Sequence, residues 1–385
     1  MDFKFTDEQE LLRKMIQKFA EKEIAPRYEE IEKEGYQQDL TDKMADVGIV
    51  GIAVPEVYGG AGYDFVTQTM VIAELAKVNP GVAFTLEAHW KAIDQLVIYG
   101  SEEIKARWLP RANRELFTFG QTEPASGSDA STQQTTAVQT PDGWLLNGNK
   151  AFLTNGVKAA SMYLILAITS PEKDTEHSRT VFILDNQNPG FENGRVEDFV
   201  GMRGCPVGDI YLSDALVPDI DRLGAIDQGM EIGHNAHHTA RFLMGALAAG
   251  IQDAALKASI NYIQERELFG GKMSHLDGIK FRISDIAMGL HATKLIIYQA
   301  AWLRDQEVDH KMETTTAKLF GSDQALKAAN HAMQIFGAYG YSKEYPVEHL
   351  WRDAKALQYA EGAYEKLQLD IANSVLFESR EEFML

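Results

Sequence analysis

Glu361 is the residue whose surroundings in the sequence most clearly suggest chemistry. The side chains around it are mostly apolar or aromatic: Leu357, Tyr359, Ala360, Ala363 and Tyr364. Partial burial raises the pKa of a carboxyl group and makes its ionised form a stronger base. Gly362, which follows directly, lets another molecule approach the backbone closely. Glu361 is therefore a candidate general base, although this stretch alone would favour a solvent-facing glutamate at the junction between a loop and a helix.

Two further stretches have residues suited to holding a flat, charged ligand. Residues 119–129 combine a strand end with a Gly/Ser loop, whose hydroxyls and backbone amides can bind a ring edge and a pyrophosphate. Phe152 and Thr154 are two residues apart in a strand-like run, so their side chains are expected on the same face. Each pattern alone is also typical of an ordinary turn or a hairpin strand.

Five stretches, taken in order, resemble the motifs of the acyl-CoA dehydrogenase family of FAD-dependent enzymes. The stretches are Thr122–Asp129, Asn147–Asn155, Arg266–Gly270, Gln334–Tyr341 and Arg352–Gly362, and because they match in the family order, the resemblance covers nearly the whole chain. The resemblance implies that Glu361 removes the α-proton of a CoA thioester while a hydride passes to flavin N5. It also implies that electrons leave to an electron-transfer flavoprotein.

The same resemblance assigns the other site residues. The FAD-binding residues it implies are Phe119, Gln121, Thr122, Ser128, Phe152, Thr154, Arg266, Phe269, Gln334, Gly337 and Glu365. Arg266 and Phe269 match residues that meet the FAD of a neighbouring subunit, which implies a homotetramer built as a dimer of dimers. The substrate-binding residues it implies are Ser128, Arg241, Gly362, Glu87 and Trp90.

The chain departs from the family pattern at several positions. Asp277 stands where a glutamine is usual, which places an acid near a predicted pyrophosphate, and Ala363 lacks a hydroxyl usually offered to FAD. A second position, which holds the base in some relatives, corresponds to Ala240, just before Arg241. Alanine cannot act as a base, so Glu361 carries that role alone.

Periodicity predicts helices in the first and last parts of the chain and strands between them. A capping box at Thr6 opens the first helix, Thr41 is expected to cap a short second helix, and Ser101 caps a later one. Strand-like runs follow from Phe117 to Leu184, and long Ala-rich helical patterns return after Gly229. We expect an all-helical domain (1–116), a small antiparallel β domain (117–225) and a helical bundle (226–385), as the family resemblance also implies.

Composition limits which classes of partner the protein can bind and which cellular compartment is expected. A net charge of −19 over 385 residues disfavours nucleic acid and anionic membranes. Cys205 is the sole cysteine, so no internal disulfide is possible, and no apolar run is long enough to span a bilayer. The acidic N-terminus does not resemble a signal peptide. A cytoplasmic protein is therefore expected.

Four questions stay open at this point. His234, His237 and His238 share helical spacing that could mimic a metal site, but packing or a place near the CoA surface is favoured, and no metal is predicted. Glu87, Trp90 and Lys91 favour a short, branched or cyclic acyl group if they face the pocket. The reaction could run in reverse as an enoyl-CoA reductase. The chain could also be a non-catalytic acyl-CoA or FAD-binding relative, or a helical scaffold for protein partners.

Overall fold

The computed structural model describes residues 4–377. Within them, the first part of the chain is helical. Its α-helices are α1 (Asp7–Phe19), α2 (Tyr28–Glu34), α3 (Gln38–Asp46), α4 (Phe65–Ala76), α5 (Pro80–Tyr99) and α6 (Glu102–Trp108). Side chains that accept a free backbone N–H begin several of these helices. Thr6 forms the predicted capping box with Gln9, and Ser101 caps α6 as expected.

The prediction that Thr41 caps a helix is wrong. α3 begins three residues earlier, and Thr41 is buried inside it, where its hydroxyl lies 2.9 Å from the hydroxyl of Tyr36. Only a residue at the start of a helix lies next to its unpaired backbone N–H groups, so Thr41 cannot cap α3. α2 was not predicted because its seven residues carry little apolar periodicity.

The middle of the chain forms one large sheet. Its strands are β1 (Leu116–Gly120), β2 (Thr136–Thr140), β3 (Gly143–Thr154), β4 (Ala160–Ile168), β5 (Arg179–Asp185), β6 (Phe191–Val196), β7 (Val207–Val217) and β8 (Arg222–Leu223). The order is β6-β7-β3-β2-β4-β5-β8, and β1 pairs with β4. The strands β6 to β8 were not predicted, because β6 is largely exposed and β8 has two residues.

The sheet is mostly antiparallel, as predicted, but two of its pairings are parallel, and one of them is a single contact between β2 and β4 at Thr136 and Ile168. β1 runs parallel to β4, with Phe119 opposite Leu164. β1 enters the sheet directly from the helical part instead of through a hairpin, so nothing forces it to run antiparallel to its neighbour. This arrangement brings the end of β1, and the loop that follows it, to the side of the sheet that meets the helices.

The last part of the chain is a bundle of long helices with a small hairpin. Its elements are α7 (Gly229–Glu265), β9 (Glu267–Leu268), β10 (Gly271–Lys272), α8 (Asp277–Asp305), α9 (Lys311–Phe336), α10 (Val347–Ala356) and α11 (Tyr364–Phe377). α7 is buried along most of its length and packs closely on its neighbours. A Cβ on Gly250 would lie 2.5 Å from that of Ala76 in α4, and one on Gly245 would lie 2.6 Å from Ile297 in α8.

A large apolar core joins the two helical parts to one face of β1 and β4. A smaller core lies among β3, β4, β5 and β7. The chain therefore has helical, β and helical parts in sequence, packed around shared apolar surface. We propose domain boundaries at 116 and 225, near the points where helix gives way to strand and strand to helix. Between residues 4 and 377, no helix is both long and apolar enough to cross a membrane.

Candidate active site

A deep cleft of about 1200 Å³ lies where the sheet meets the C-terminal helices. It brings together half of the residues predicted for the site. Those that line it are Gln121, Thr122, Ser128, Phe152, Thr154, Arg241, Glu361 and Gly362. A recess of about 60 Å³ continues from it and is lined by Phe119 together with Lys91, His237 and Glu361.

Glu361 lies on the turn between α10 and α11 in a backbone conformation that is unusual for its type. Its φ is 57°, and that of Gly362 is 115°. Non-glycine residues in the left-handed region are uncommon and persist where neighbouring structure holds them. Here α9 holds the turn: the ammonium of Lys318 donates to the Gly362 carbonyl over 3.0 Å, and the Tyr364 hydroxyl donates to Asp323 over 2.7 Å. The backbone therefore aims the Glu361 side chain into the cleft.

The Glu361 carboxylate is paired on both of its oxygens. Lys91 in α5 forms an ion pair with Oε1, and Nδ1 of His237 in α7 lies 2.8 Å from Oε2. A carboxylate only accepts hydrogen bonds, so the second contact requires a proton on His237 Nδ1. Only 9% of the Glu361 side chain is exposed. Three elements distant in sequence thus meet at one carboxylate.

The predicted rise in the pKa of Glu361 is wrong for the free protein. Burial does act to raise it, but the charge of Lys91 and the hydrogen bond from His237 outweigh burial and hold the pKa below its ordinary range. Lys91 shows the matching effect. Burial acts to lower the pKa of its ammonium, and the carboxylates of Glu361 and Glu87 outweigh burial and raise it.

Glu87 lies one helical turn before Lys91 and does not line the cleft or the recess, contrary to its predicted role in substrate binding. Its side chain is fully buried, and neither carboxyl oxygen has a hydrogen-bond partner among residues 4–377. Burial and the charge of Glu361 raise the pKa of Glu87 to about 8, against the effect of Lys91. Glu87 therefore keeps its proton to a higher pH than an ordinary glutamate does.

The prediction that Trp90 contacts the acyl group is also corrected. Trp90 is fully buried and donates its indole N–H to the Val50 carbonyl over 3.0 Å. Successive positions on a helix point about 100° apart, so Lys91 faces the site while Trp90 faces the N-terminal core. The prediction of a short, branched or cyclic acyl group therefore loses the support of Trp90 and keeps that of Lys91.

Arg241 lies beside Glu361 on the cleft wall. It donates to the Thr315 hydroxyl over 2.9 Å, and its guanidinium lies 3.4 Å from the Asp370 carboxylate. Burial lowers the pKa of Arg241, and the carboxylates of Asp370 and Glu361 oppose that effect. A cation in this position can attract an anionic ligand into the cleft.

The opposite wall has the features that a flat ring system requires. Phe152 has a φ of 54° at a bulge in β3, and 54% of it is exposed to the cleft. Its ring lies nearly parallel to that of Phe199, with centroids 6.2 Å apart. Gln121 presents a buried Oε1 that has no hydrogen-bond partner within the described part of the chain. An unpaired buried acceptor marks a place for a ligand N–H group.

A buried ion pair holds the loop that contains Ser128. Lys150 in β3 contacts Glu123 at 2.6 Å, and Glu123 also accepts the backbone N–H of Gln134 over 2.6 Å. Burial lowers the pKa of Lys150 to about 8, and Glu123 opposes that shift. Ser128 itself is exposed in the cleft, so its hydroxyl and the neighbouring amides are available to a ligand.

The remaining predicted cofactor residues do not line the cleft. Those outside it are Arg266, Phe269, Gln334, Gly337 and Glu365, which lie on or near the exterior. The first four belong to one surface, because the Arg266 guanidinium lies 6.0 Å from the Tyr339 ring centroid. Asp277 begins α8 and pairs with Lys280 at 3.0 Å. Its charge is therefore partly neutralised near the predicted pyrophosphate.

The three histidines do not converge. His237 contacts Glu361, whereas Nδ1 of His238 lies 3.4 Å from the Thr314 hydroxyl, and His234 lies 4.0 Å from Glu176. In residues 4–377 there is no group of three side chains that could hold a metal ion. All three histidines line the cleft, so the favoured interpretation, a place near a bound ligand, keeps its support.

Comparison with known proteins agrees with this architecture. Three family models match consecutive parts of the chain: acyl-CoA dehydrogenase N-terminal domain at residues 6–115, middle domain at 118–215 and C-terminal domain at 227–376. The chain belongs to the acyl-CoA dehydrogenase family. It is thus an oxidoreductase of a family that depends on FAD.

Individual relatives cover the full length of the family fold. An acyl-CoA dehydrogenase of Bacillus subtilis (strain 168) is 38% identical, over 96% of this chain and 98% of the relative. An acryloyl-CoA reductase (NADH) of Anaerotignum propionicum is 36% identical, over 98% and 96%. A chain in a structure of the electron transferring flavoprotein of Acidaminococcus fermentans has a TM-score of 0.95 at 36% identity, covering 98% of this chain and 100% of that one.

Several residues of this acyl-CoA dehydrogenase site have no clear signal in the sequence. Lys91 and His237 were candidates from their positions but were not predicted to contact Glu361, and Lys318 was not predicted at all. A signal existed for Lys91, since a lysine in a helix whose residues are mostly apolar often needs a buried partner. Lys318 had no comparable signal, because its partners are backbone carbonyls on a distant turn.

Proposed function

We propose that this protein catalyses FAD-dependent α,β-dehydrogenation of an acyl-CoA thioester, with Glu361 as the base. The observation that carries the proposal is the Glu361 carboxylate, ionised in the free protein and held by a strained turn at the base of an open cleft. A base must be deprotonated before it can act, and the lowered pKa ensures this. The product is the corresponding 2-enoyl-CoA.

The residues present fit an FAD in the cleft. The unpaired Gln121 oxygen can accept an N–H of the ring, Phe152 can pack against the ring, and the Ser128 loop can bind the pyrophosphate. When bound, FAD supplies the acceptor for the hydride from the β-carbon. Thr154 lies on the same wall and can hydrogen-bond the ring edge.

Residues of the chain itself can accept the α-proton of the substrate. The α-proton moves to a Glu361 oxygen, and a thioester held against the backbone beside Gly362 would have the acidified C–H that a carboxylate needs. Gly362 has little room for a side chain: a Cβ there would lie 3.1 Å from Leu367 and 3.6 Å from Arg241. Arg241 and Ser128 border the route by which the CoA moiety would enter.

The test is the first half-reaction with the base removed. Glu361→Gln keeps the side-chain volume and removes proton abstraction, so FAD binding should persist while flavin bleaching by acyl-CoA falls by about 10²- to 10⁴-fold. Rapid mixing without an electron acceptor measures this directly. Glu29→Gln makes the same change on the surface of α2, away from the cleft, and serves as the control. Bleaching by Glu361→Gln within tenfold of the unmodified rate would mean that another residue is the base.

A second candidate is the reverse reaction, reduction of an enoyl-CoA. It is supported by the relative described as an acryloyl-CoA reductase. The ionised state of free Glu361 favours dehydrogenation instead, since reduction needs Glu361 to donate a proton. Mixing photoreduced protein with enoyl-CoA and comparing the reoxidation rate with the acyl-CoA bleaching rate distinguishes the two directions.

The proposal extends to partners and compartment. An electron-transfer flavoprotein as electron acceptor is supported by the similarity to a chain in such a structure. A homotetramer is supported by the exposed cofactor motifs around Arg266, and a cytoplasmic location by the single, buried cysteine. The Arg266 surface would complete the FAD site of a neighbouring subunit.

A further inference from the structure

The strongest unexplained feature of the site is the buried cation next to the base. Lys91 projects from α5 into the recess, its side chain is 9% exposed, and its partner is Glu361. Glu87 lies one helical turn before Lys91 in α5, but its carboxyl forms no hydrogen bond with Lys91 or with any other described residue, and the close ion pair of Lys91 is with Glu361. Lys91 therefore depends on Glu361 for its counter-charge.

This pairing conflicts with proton abstraction from an uncharged acyl group. A carboxylate that accepts from both Lys91 and His237 is a weak base, and when Glu361 takes up a proton, Lys91 loses its partner. An unpaired ammonium in a buried site is strongly unfavourable. The reaction needs another anion that can take Lys91 away from Glu361.

From this arrangement we propose that the substrate's acyl group carries a second carboxylate, which binds Lys91 and frees Glu361 to act as the base. The proposal rests on the proposed function and names the substrate class for the same site: a CoA monothioester of a short dicarboxylic acid. A hydroxyl or keto group would not serve, because neither provides the negative charge that Lys91 requires.

Geometry limits the length of that acid. Reacting atoms approach to about 3–3.5 Å in a productive complex, which places the α-carbon beside a Glu361 oxygen. Lys91 is in direct contact with the same carboxylate, so the second carboxylate must lie only a few carbon atoms from the α-carbon. The recess adds about 60 Å³ beyond the cleft, which also suits a short chain. The redox step is unchanged: the α-proton goes to Glu361 and the β-hydride with its electron pair goes to FAD.

The experiment compares length-matched thioesters with and without the second carboxylate. The FAD-loaded protein and its Lys91→Met and Lys91→Arg variants are mixed anaerobically with glutaryl-CoA and pentanoyl-CoA, and then with adipyl-CoA and hexanoyl-CoA. We expect the unmodified protein to be reduced faster by the dicarboxylic member of each pair. Lys91→Met should lose on the order of 10²-fold or more with the dicarboxylic thioesters, because the site can no longer pair their charge.

The remaining variants test whether the positive charge of Lys91 causes the preference for dicarboxylic thioesters. Lys91→Arg keeps a cation and should keep the preference, whereas in Lys91→Met the freed base should speed reduction by the uncharged thioesters. Lys77→Met is the matched control: Lys77 is also ion-paired, at 2.9 Å with Glu74, but lies outside the cleft, so the preference should not change. Faster reduction of the unmodified protein by the uncharged thioesters, or an equal effect of Lys91→Met on both classes, overturns the proposal.

Failure of the proposed function would look different. If no acyl-CoA bleaches the flavin, the same comparison is made with the two classes of enoyl-CoA and photoreduced protein, where the same preference is expected. If the protein takes up no FAD, calorimetric binding of glutaryl-CoA and pentanoyl-CoA to the unmodified protein and to Lys91→Met gives the comparison without turnover. Equal binding of the two thioesters by the unmodified protein would then overturn the role of Lys91.

Discussion

At the scale of single residues, the site is a set of buried charges whose protonation states depend on one another. Lys91 keeps Glu361 ionised, and Glu361 in turn raises the pKa of Glu87. Glu87 bears on stability, because its carboxyl is fully buried and has no hydrogen-bond partner among the described residues. Burial of an unpaired carboxylate is unfavourable, so the native state favours the protonated form.

Glu87 should therefore make stability fall as pH rises. Between its ordinary pKa of 4.5 and about 8, the folded protein binds this proton and the unfolded chain does not. The stabilisation is present below pH 4.5 and is lost as pH rises through 8. Relative to the unmodified protein, Glu87→Gln should gain about 1–4 kcal/mol in free energy of unfolding between pH 4.5 and 8.

Urea unfolding of the two proteins across this pH range measures the difference. Glu29→Gln, on the surface of α2, should follow the unmodified protein within about 0.5 kcal/mol at each pH. A difference between Glu87→Gln and the unmodified protein that stays constant with pH would show that Glu87 is ionised in the native state throughout.

At the scale of elements, the turn between α10 and α11 is positioned by α9. Lys318 is 1% exposed, and its ammonium donates to the carbonyls of Gly362 and Gln358. Burial lowers the pKa of Lys318 to about 8, partly opposed by the charge of Glu361. Burial of the Lys318 ammonium is thus electrostatically unfavourable, but its hydrogen bonds hold the backbone of the turn that carries Glu361.

Lys318→Met should show how much the contact between Lys318 and the turn contributes to the position of Glu361. With the turn no longer held, Glu361 is less well placed, and flavin reduction by acyl-CoA should fall by about 10- to 100-fold. Rapid mixing measures the rate, and fluorescence titration should show FAD affinity nearly unchanged. Lys327→Met, on the outer face of the same helix, is the control. An unchanged rate in Lys318→Met would show that the turn holds its shape without α9.

At the scale of the whole molecule, the predicted cofactor residues fall into two groups on separate surfaces. One group lines the cleft, and the other surrounds Arg266 on the exterior. Phe269, beside it, is 93% exposed, although a large aromatic side chain is normally covered. Both observations fit a surface that is completed by a second copy of the chain.

We expect the FAD-bound protein to have the mass of a tetramer in light scattering. Arg266→Ala should weaken FAD binding by about 10- to 100-fold, the usual effect of losing a hydrogen bond to a charged group. Arg195→Ala, which removes an exposed arginine from β6, should leave FAD binding unchanged. A monomer that binds FAD with the affinity of the unmodified protein would exclude a cofactor site shared between subunits.

The sequence alone was enough to predict the order of helical and β parts, most long helices, and eight of the residues that line the cleft. These features depend on local periodicity and on short motifs such as 119–129 and 147–155, in which the relevant residues are neighbours in the chain. The identity of Glu361 as the candidate base also belongs to this group, because its apolar neighbours and Gly362 adjoin it.

Only the tertiary structure decided the electrostatics of the base. Lys91, His237 and Lys318 come from three helices, and nothing in their local sequence states that they meet at one turn. The pKa of Glu361 therefore moved in the opposite direction from the one predicted, since apolar neighbours in sequence raise a pKa and distant charges brought into contact lower it. The packing of α5 on the N-terminal core also determines that Lys91 faces the site and that Trp90 faces away from it.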